Sequence, residues 1–309
     1  MKKWLLIIIL CPLVGLILFV GFAFLHLQVA KYQIHQGSQA LSLSAPLQIG
    51  ETQKLEILPL YEGNAQSGLE SGHGVSYLIR TDNNIILFDL GNNMNSASPS
   101  ALEENMAYLD ISLDQVDTIV ISHRHPDHMG GQNWWIKRTF SPDGTTQPLL
   151  GDLPIYVPEI LTYPGSNPVV SNMPISLGEG IATTGTIPYA QLFPVWLTAP
   201  KGNEQALAVN VTGKGIVLIT GCGHMGLKAL LERAESIFDV PVVGVIGGLH
   251  YGNADAASLQ DQILMVKDLN PTVVALSPHD SGPTALDAFA QAFPMAYQAI
   301  QVGTAIDIP

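Results

Sequence analysis

The last third of the sequence alternates short apolar runs with amphipathic segments, a pattern that strongly restricts the possible folds. Apolar runs of strand length lie at residues 216–220, 242–246 and 272–276. Each is followed by a short loop and a segment of helical spacing, at about residues 227–237, 256–269 and 284–293. Repeated strand–loop–helix units predict helices packed on a sheet, an α/β fold.

The sequence predicts that the first half of the domain starts with antiparallel strands. Strand-length apolar runs lie at residues 55–60, 75–80, 84–89 and 116–121. The turn residues 82–84 stand between the second and third runs, which predicts a hairpin. Residues 101–109 have helical spacing. With the units above, these elements predict one domain over residues 51–309.

A looped region separates the two halves. Residues 141–205 are rich in proline and glycine, with short strands expected at about 155–157 and 191–197. We expect loops or hairpins here that rim a pocket. Aromatic side chains that could line it, with plain packing as the alternative, are Trp134, Trp135, Tyr189 and Trp196.

The amino terminus predicts a membrane anchor over residues 1–30. Residues 4–25 form a run of about 22 uncharged, mostly apolar residues, long enough to cross a bilayer core of roughly 30 Å. Lys2 and Lys3 precede the run, which favours a cytoplasmic amino terminus and a single-pass protein whose domain lies outside the cytoplasm. A cleaved signal peptide is the alternative, although its apolar region is normally roughly 7–15 residues long. Residues 31–50 are polar and patternless, and we expect a stalk there.

Net charge limits the classes of partner. The chain carries 13 Lys and Arg against 26 Asp and Glu, a formal net charge of -13, which repels nucleic-acid phosphates and anionic lipid surfaces. We therefore expect a small-molecule substrate and no nucleic acid, with the lipid bilayer contacted through the amino-terminal helix.

Six of the nine histidines follow predicted strands. They are His123, His125, His128, His224, His250 and His279. A single histidine in such a place is more often a packed side chain than a ligand. Because the carboxyl ends of strands in α/β layers share an edge, six placed this way predict a common site. The other three, His26, His35 and His73, lie in the expected stalk or before a strand.

The cluster after residue 121 has metal-ligand spacing. His123 and His125 are two residues apart in an extended turn, so both imidazoles can reach one cation. Asp127 and His128 offer an oxygen and a nitrogen to a second. Imidazole and carboxylate ligands together suit zinc, manganese or iron, so we expect one or two divalent ions, with zinc favoured.

The pattern His-x-His-x-Asp-His after a strand resembles the signature of the metallo-β-lactamase superfamily. The resemblance covers about residues 52–308 and implies a four-layer αβ/βα sandwich with one or two metal ions between the sheets. The motifs at residues 72–76, 88–91, 220–224, 246–250 and 302–304 resemble one branch. That branch includes the archaeal dihydropterin ribofuranosyl-aminobenzene phosphate synthases and many bacterial metal-dependent hydrolases.

The resemblance also implies roles for individual residues. The first metal would be held by His123, His125 and His224, and the second by Asp127, His128 and His279. His250 is a candidate for metal or substrate contact. Asp89 would orient a ligand histidine, with a turn cap before residues 91–93 as the alternative. Cys222 stands where many members carry a bridging aspartate, so it is either a thiolate ligand or a small buried side chain.

These expectations point to a metal-dependent hydrolase. A metal with an open position lowers the pKa of bound water to roughly 7 and polarises a carbonyl or phosphoryl oxygen. Asp127 could pass a proton from the water to the leaving group. We expect hydrolysis of an ester, lactone, amide or phosphoester. The alternatives are a dihydropterin synthase-type transferase and a catalytically silent metal-binding protein.

Overall fold

The computed structural model describes residues 2–38, 43, 45–191, 195, 199–252 and 254–308, with the backbone alone for residues 2–12. Helix α1 spans Lys2–Ser38, and its part from Leu13 to Ser38 is long and apolar enough to cross a membrane. Residues 31–38, which the sequence predicts as the beginning of a stalk, continue this helix instead. Ile34 and Gly37 are partly buried on the helix face of the buried residue Ala30, so α1 packs on the domain rather than standing clear of it.

The first sheet has seven strands in the order β15-β1-β2-β3-β4-β5-β6. They are β1 Leu55–Tyr61, β2 Ser76–Arg80, β3 Ile85–Phe88, β4 Thr118–Val120, β5 Ile155–Val157, β6 Val169–Val170 and β15 Ile306–Ile308. Strands β2 and β3 pair antiparallel with Tyr77 opposite Phe88, which confirms the predicted hairpin. Strands β3 to β6 run parallel, so the chain after β4 emerges at a carboxyl edge.

The second sheet has six strands in the order β14-β13-β12-β11-β8-β7. They are β7 Ser176–Gly178, β8 Ile181–Thr183, β11 Leu207–Val211, β12 Gly215–Thr220, β13 Val242–Gly247 and β14 Val273–Leu276. A separate ribbon pairs β9 Ile187–Ala190 with β10 Lys201–Glu204. Strands β12, β13 and β14 are parallel, so the loops that follow them open at one edge.

Helices cover the outer faces of both sheets. They are α2 Ala101–Tyr108, α3 Gln132–Ile136, α4 Leu227–Ile237, α5 Ala256–Asp268 and α6 Pro283–Ala292. Ile57 and Phe88 of the first sheet share one buried cluster with Val217 and Ile246 of the second, so the sheets pack face to face. Leu230, Phe289 and their neighbours join α4, α5 and α6 to the second sheet, and α2 packs on the first. This is the expected four-layer sandwich.

The looped middle region contains more short strands than the sequence indicates. Strands β5 to β10 all lie between residues 155 and 204. The strand expected at 191–197 is not tested, because residues 192–194 and 196–198, including Trp196, lie outside the described residues. Pairing in short two-to-four-residue strands comes from tertiary contacts, which local sequence patterns do not encode.

Candidate metal centre

Loops from both sheets bring the histidines to one cleft. The loop after β4 carries His123 and His125 and a 3₁₀ turn, Pro126–His128. The loops after β12, β13 and β14 carry His224, His250 and His279. A cavity of about 810 Å³ opens over these loops, and its lining includes His125, Asp127, Cys222, His224, His250 and His279. The six histidines predicted from strand ends therefore share one site.

The two predicted ligand sets both form compact groups. His123, His125 and His224 each place a ring nitrogen within 4.8 Å of the others, and so do the ligand atoms of Asp127, His128 and His279. Nε2 of His123 and Nδ1 of His125 are 3.0 Å apart. Two nitrogens bound to a tetrahedral zinc at roughly 2.0–2.1 Å stand about 3.3 Å apart. The spacing of the first set thus fits a shared cation.

Cys222 lies between the two sets. Its Sγ is 3.1 Å from Nε2 of His128 and 3.2 Å from Nε2 of His279, and it also groups with His123. Burial and the nearby carboxylates raise the pKa of this thiol well above its ordinary value. A thiolate here therefore needs a compensating cation. This position favours Cys222 as a metal ligand over Cys222 as a small buried side chain.

His250 stands at the exposed side of the centre. Its ring lies 4.7 Å from that of His224, and one of its nitrogens groups with a ring nitrogen of His224 and with Sγ of Cys222. The residue has a left-handed backbone (φ 57°), and its N–H donates to Oδ2 of the partly buried Asp280 at 2.9 Å. This bond holds the loop after β13 at the cleft. His250 is placed for contact with either a metal ion or a substrate.

Asp89 orients two of the clustered histidines. Its fully buried carboxylate accepts bonds from Nδ1 of His128 at 2.7 Å and from Oγ of Ser122 at 2.6 Å. The same hydroxyl lies 2.9 Å from Nδ1 of His123. With Nδ1 engaged in this way, Nε2 of both rings is left for a cation. These contacts favour the ligand-orienting role of Asp89 over a turn cap.

Glu204 is a functional candidate that sequence reasoning missed. At the end of β10 its buried carboxylate accepts bonds from the N–H groups of Cys222, Gly223 and His224 at 2.7–3.0 Å, and from Nδ1 of His224 at 2.9 Å. Burial opposes its ionisation, but the bonds from His224 outweigh this and lower its pKa to about 2. The only sequence signal is that no other acidic residue occurs between Glu179 and Glu232.

Glu62 plays the equivalent part for the third histidine loop and was also missed. Oγ of Ser277 bonds to Glu62 and lies 2.6 Å from Nδ1 of His279. Glu62 also accepts from Tyr77 Oη at 2.8 Å and from the N–H of His279 at 3.2 Å. A lone glutamate at the end of β1 carries no motif, so only the fold reveals this link between the sheets.

His73 lies at the site, although the sequence prediction left it out because it precedes a strand. Its Nε2 lies 3.1 Å from Oδ2 of Asp127, and its side chain is 63% exposed at the cleft. The bond to Asp127 raises the pKa of His73 above its ordinary value. Gly74 makes the approach possible, because a Cβ there would lie 2.3 Å from the carbonyl oxygen of Asp127.

The donors fit a divalent cation. Burial lowers the pKa of His125 to about 4, so its ring is neutral and able to ligate at neutral pH. Burial also opposes ionisation of Asp127, but His128 and His73 outweigh it and lower the pKa of that carboxyl well below its ordinary value. Neutral imidazoles with free ring nitrogens, a carboxylate and a thiol are the ligands that zinc and similar ions take.

Of the aromatic residues considered for the pocket, Tyr189 lines the cavity. Its ring stacks on His224 at 4.6 Å, and its hydroxyl lies 3.4 Å from Nε2 of His125. Trp134 and Trp135 bond to the carbonyls of Gly144 and Arg124 and are absent from the cavity lining among the described residues. Their role is packing around α3.

Two sequence comparisons relate the chain to known proteins. The family model of the metallo-beta-lactamase superfamily matches residues 70–158, which include the first histidine cluster. A 7,8-dihydropterin-6-methyl-4-(beta-D-ribofuranosyl)-aminobenzene-5'-phosphate synthase of Methanocaldococcus jannaschii is 28% identical over 297 residues, covering 84% of this chain and 99% of that protein.

Two solved structures share the fold. Tm1679, described as a metal-dependent hydrolase of the beta-lactamase superfamily, superimposes with a TM-score of 0.59 at 21% identity, covering 82% of this chain and 99% of that one. The metallo-beta-lactamase fold protein YhfI of Bacillus subtilis gives a TM-score of 0.50 at 14% identity, covering 83% and 100%. The chain is thus similar to the metallo-β-lactamase superfamily over residues 70–158 and shares the fold of these two structures.

Proposed function

We propose that the protein is a metal-dependent hydrolase that acts on an ester, lactone, amide or phosphoester. The observation that carries this proposal is the convergence of two three-residue ligand groups at one open cavity, which four of the six residues line. A purely structural metal site is normally closed by its protein ligands, whereas this one faces a space large enough for a substrate.

A metal held by these residues would make a nucleophile available at neutral pH by acidifying a bound water, and it would polarise the bond to be cleaved. Asp127 is placed to hold the proton that the water loses, because its Oδ2 lies in the cavity beside His73 at 3.1 Å. His73 fixes the direction of that carboxylate from the exposed side. Tyr189 packs on His224 and restricts its ring, so both walls of the cleft hold ligands in place.

The cation is proposed to be zinc, with manganese and iron as alternatives. His123, His125 and His224 would hold the first ion, and Asp127, His128 and His279 the second. Cys222 lies between the sets and favours a thiophilic ion, because carboxylates rather than thiolates are the bridging ligands that harder ions prefer. His250 is proposed as a further ligand or a substrate contact.

We also propose that α1 anchors the protein in a membrane as a single-pass helix. Its apolar length and the exposure of its side chains between Leu13 and Leu25 support this proposal. Lys2 and Lys3 favour a cytoplasmic amino terminus, which places the catalytic domain outside the cytoplasm.

A dihydropterin synthase-type transferase is the second candidate, because the named relative at 28% identity is such an enzyme. An exported domain would be separated from cytosolic pterin intermediates, so membrane topology discriminates between the two. A catalytically silent metal-binding protein is the third candidate. Both ligand groups are complete in this chain, which argues against loss of activity.

Activity measurements test the hydrolase. Full-length protein loaded with zinc, manganese or iron is assayed on nitrophenyl esters, lactones and nitrophenyl phosphodiesters. We expect turnover that a chelator abolishes and that added metal restores. Asp127→Asn should lower kcat by about 100-fold or more. Lys214→Gln, on a distant turn, is the control and keeps full activity. Metal-loaded protein without turnover on any of these classes would support the silent alternative.

A further inference from the structure

We propose that the cleft takes its substrate from the bilayer that holds α1, and that this substrate is an amphiphile with a hydrolysable polar head and an apolar chain. The inference rests on the proposed hydrolase function and anchor, and it adds the class of substrate. It is carried by three features of the described residues: a strand shared between the anchor and the site, a buried arginine that joins them, and an apolar share of the cavity wall.

Strand β9 separates the anchor helix from the metal centre. On one side α1 packs against it, and Gly37 approaches Pro188 so closely that a Cβ would lie 2.5 Å from the proline ring. On the other side Tyr189 reaches the centre, with its ring on His224 and its hydroxyl 3.4 Å from Nε2 of His125. The cavity and the anchor are therefore one strand apart.

Arg233 fixes this arrangement. Its side chain is almost fully buried in α4, and its guanidinium donates to the carbonyl of Gly37 at 2.5 Å and to the carbonyl of Thr186 at 3.3 Å. Gly37 lies in the last turn of α1, whose carbonyls attract a cation, and Thr186 directly precedes β9. The side chain of Arg233 thus joins the end of α1 to β9, the strand beside the site. A flexible tether between helix and domain would lack such a buried contact.

The domain meets α1 close to the expected membrane surface. Ala30 is only 3% exposed, whereas the apolar run that would span the bilayer ends at Leu25. Five helical residues cover about 7.5 Å, roughly the depth of the polar headgroup layer. The packed part of α1 therefore begins at the headgroups. Gly37, which contacts β9, lies twelve residues farther than Leu25, about 18 Å along the helix.

The cavity itself is suited to an apolar chain. Beside the ligand residues, its lining includes Ala190, Val195, Leu249, Tyr251 and Ala254. Val195 is 39% exposed, so its apolar side chain is accessible from the cavity. A volume of about 810 Å³ exceeds what the reacting head alone would need.

The experiment compares chain lengths with the full-length protein in phosphatidylcholine vesicles. The probes are p-nitrophenyl acetate against p-nitrophenyl decanoate, and p-nitrophenyl methyl phosphate against p-nitrophenyl decyl phosphate. In whichever series is hydrolysed, the esters or the phosphodiesters, we expect kcat/KM to be at least about 100-fold higher for the long-chain probe. Burial of three or four methylene groups supplies a factor of this size. Val195→Asp is expected to reduce this ratio at least tenfold.

Val169→Asp is the matched control, because Val169 is similarly exposed on β6 and is not part of the cavity lining. It should keep the ratio of the unaltered protein. Metal-dependent turnover with equal kcat/KM for both chain lengths would overturn the proposed amphiphilic substrate, while the hydrolase function would stand. A preference for the long chain that Val195→Asp leaves unchanged would do the same. No turnover of any probe would overturn the hydrolase and this inference together.

Discussion

At the scale of single residues, the centre depends on carboxylates that never face the cavity. Asp89, Glu204 and Glu62 are fully buried, and each engages Nδ1 of one or two clustered histidines, directly or through a serine hydroxyl. The histidines could be found from the sequence because three of them form a tight motif and the others follow strands. Glu62 and Glu204 could not, because isolated glutamates gain meaning only from what the fold places beside them.

Glu204→Gln tests this orienting role. The amide keeps the size of the side chain but replaces one carboxylate oxygen with an NH₂ group, which cannot accept. The carboxylate of Glu204 accepts from Nδ1 of His224 and from three backbone N–H groups. We expect metal affinity to fall by about 10- to 100-fold, measured by competition with a chromogenic chelator. Glu179→Gln, at an exposed position, serves as the control and should not change the affinity. Equal affinities for the two variants would argue that Glu204 has no part in positioning His224.

Protonation of His128 predicts how metal binding depends on pH. Burial lowers its pKa, but the carboxylates of Asp89 and Asp127 outweigh burial and raise the pKa to about 9 in the metal-free protein. The ring is then charged at pH 7 and must lose its proton to bind a cation. Apparent affinity at the second set should rise about tenfold per pH unit from 7 toward 9 and level off above it.

Calorimetry in buffers of different ionisation enthalpy measures the protons released. We expect about one proton per metal bound at the second set at pH 7, and none in His128→Asn, in which the residual binding is weak. Release that is independent of pH across this interval would contradict the assignment of the proton to His128.

At the scale of elements, the site is made by loops that follow strands. The strand–loop–helix units of the last third could be predicted closely, because each strand is a continuous apolar run and each helix has regular spacing: α4 occupies Leu227–Ile237 as predicted. The short strands β6 to β10 could not be placed from local patterns. The length of α1 was underestimated, because residues 31–38 gain their helical stability from packing on β9 rather than from an apolar periodicity.

Gly74 illustrates how one loop supports another. It has φ 141°, and a Cβ there would lie 2.3 Å from the carbonyl oxygen of Asp127. Gly74→Ala should therefore move the turn that carries Asp127, with an unfolding free energy lower by roughly 2–4 kcal/mol and a loss of second-set metal. Gly213→Ala is the matched control, since Gly213 also has positive φ (70°) but has no neighbour that a Cβ would meet.

Denaturant unfolding and metal analysis of both alanine variants check this expectation. The control should lose only about 1 kcal/mol and keep its metal. Equal losses of stability with full metal in both variants would show that the contact between the two loops does not support the site.

At the scale of the whole molecule, an acidic domain is joined rigidly to an apolar helix. The formal net charge of -13 gives the chain no attraction for anionic lipid, so we expect membrane association to come from α1. We expect the full-length protein to stay with the membrane fraction after washes in high salt and alkaline carbonate. Protease added to spheroplasts should reach the domain. Release by salt, or protection of the domain from external protease, would contradict the proposed anchoring or topology.

The central claim is that five imidazoles from distant segments bind metal together with Asp127, and metal content tests it most directly. Purified full-length protein is compared with His125→Ala and His279→Ala, and with His35→Ala on α1 as the control. We expect His125→Ala to lose most of the bound metal, His279→Ala to lose at most one equivalent, and His35→Ala to lose none. Full metal content in both site variants would contradict the ligand assignment.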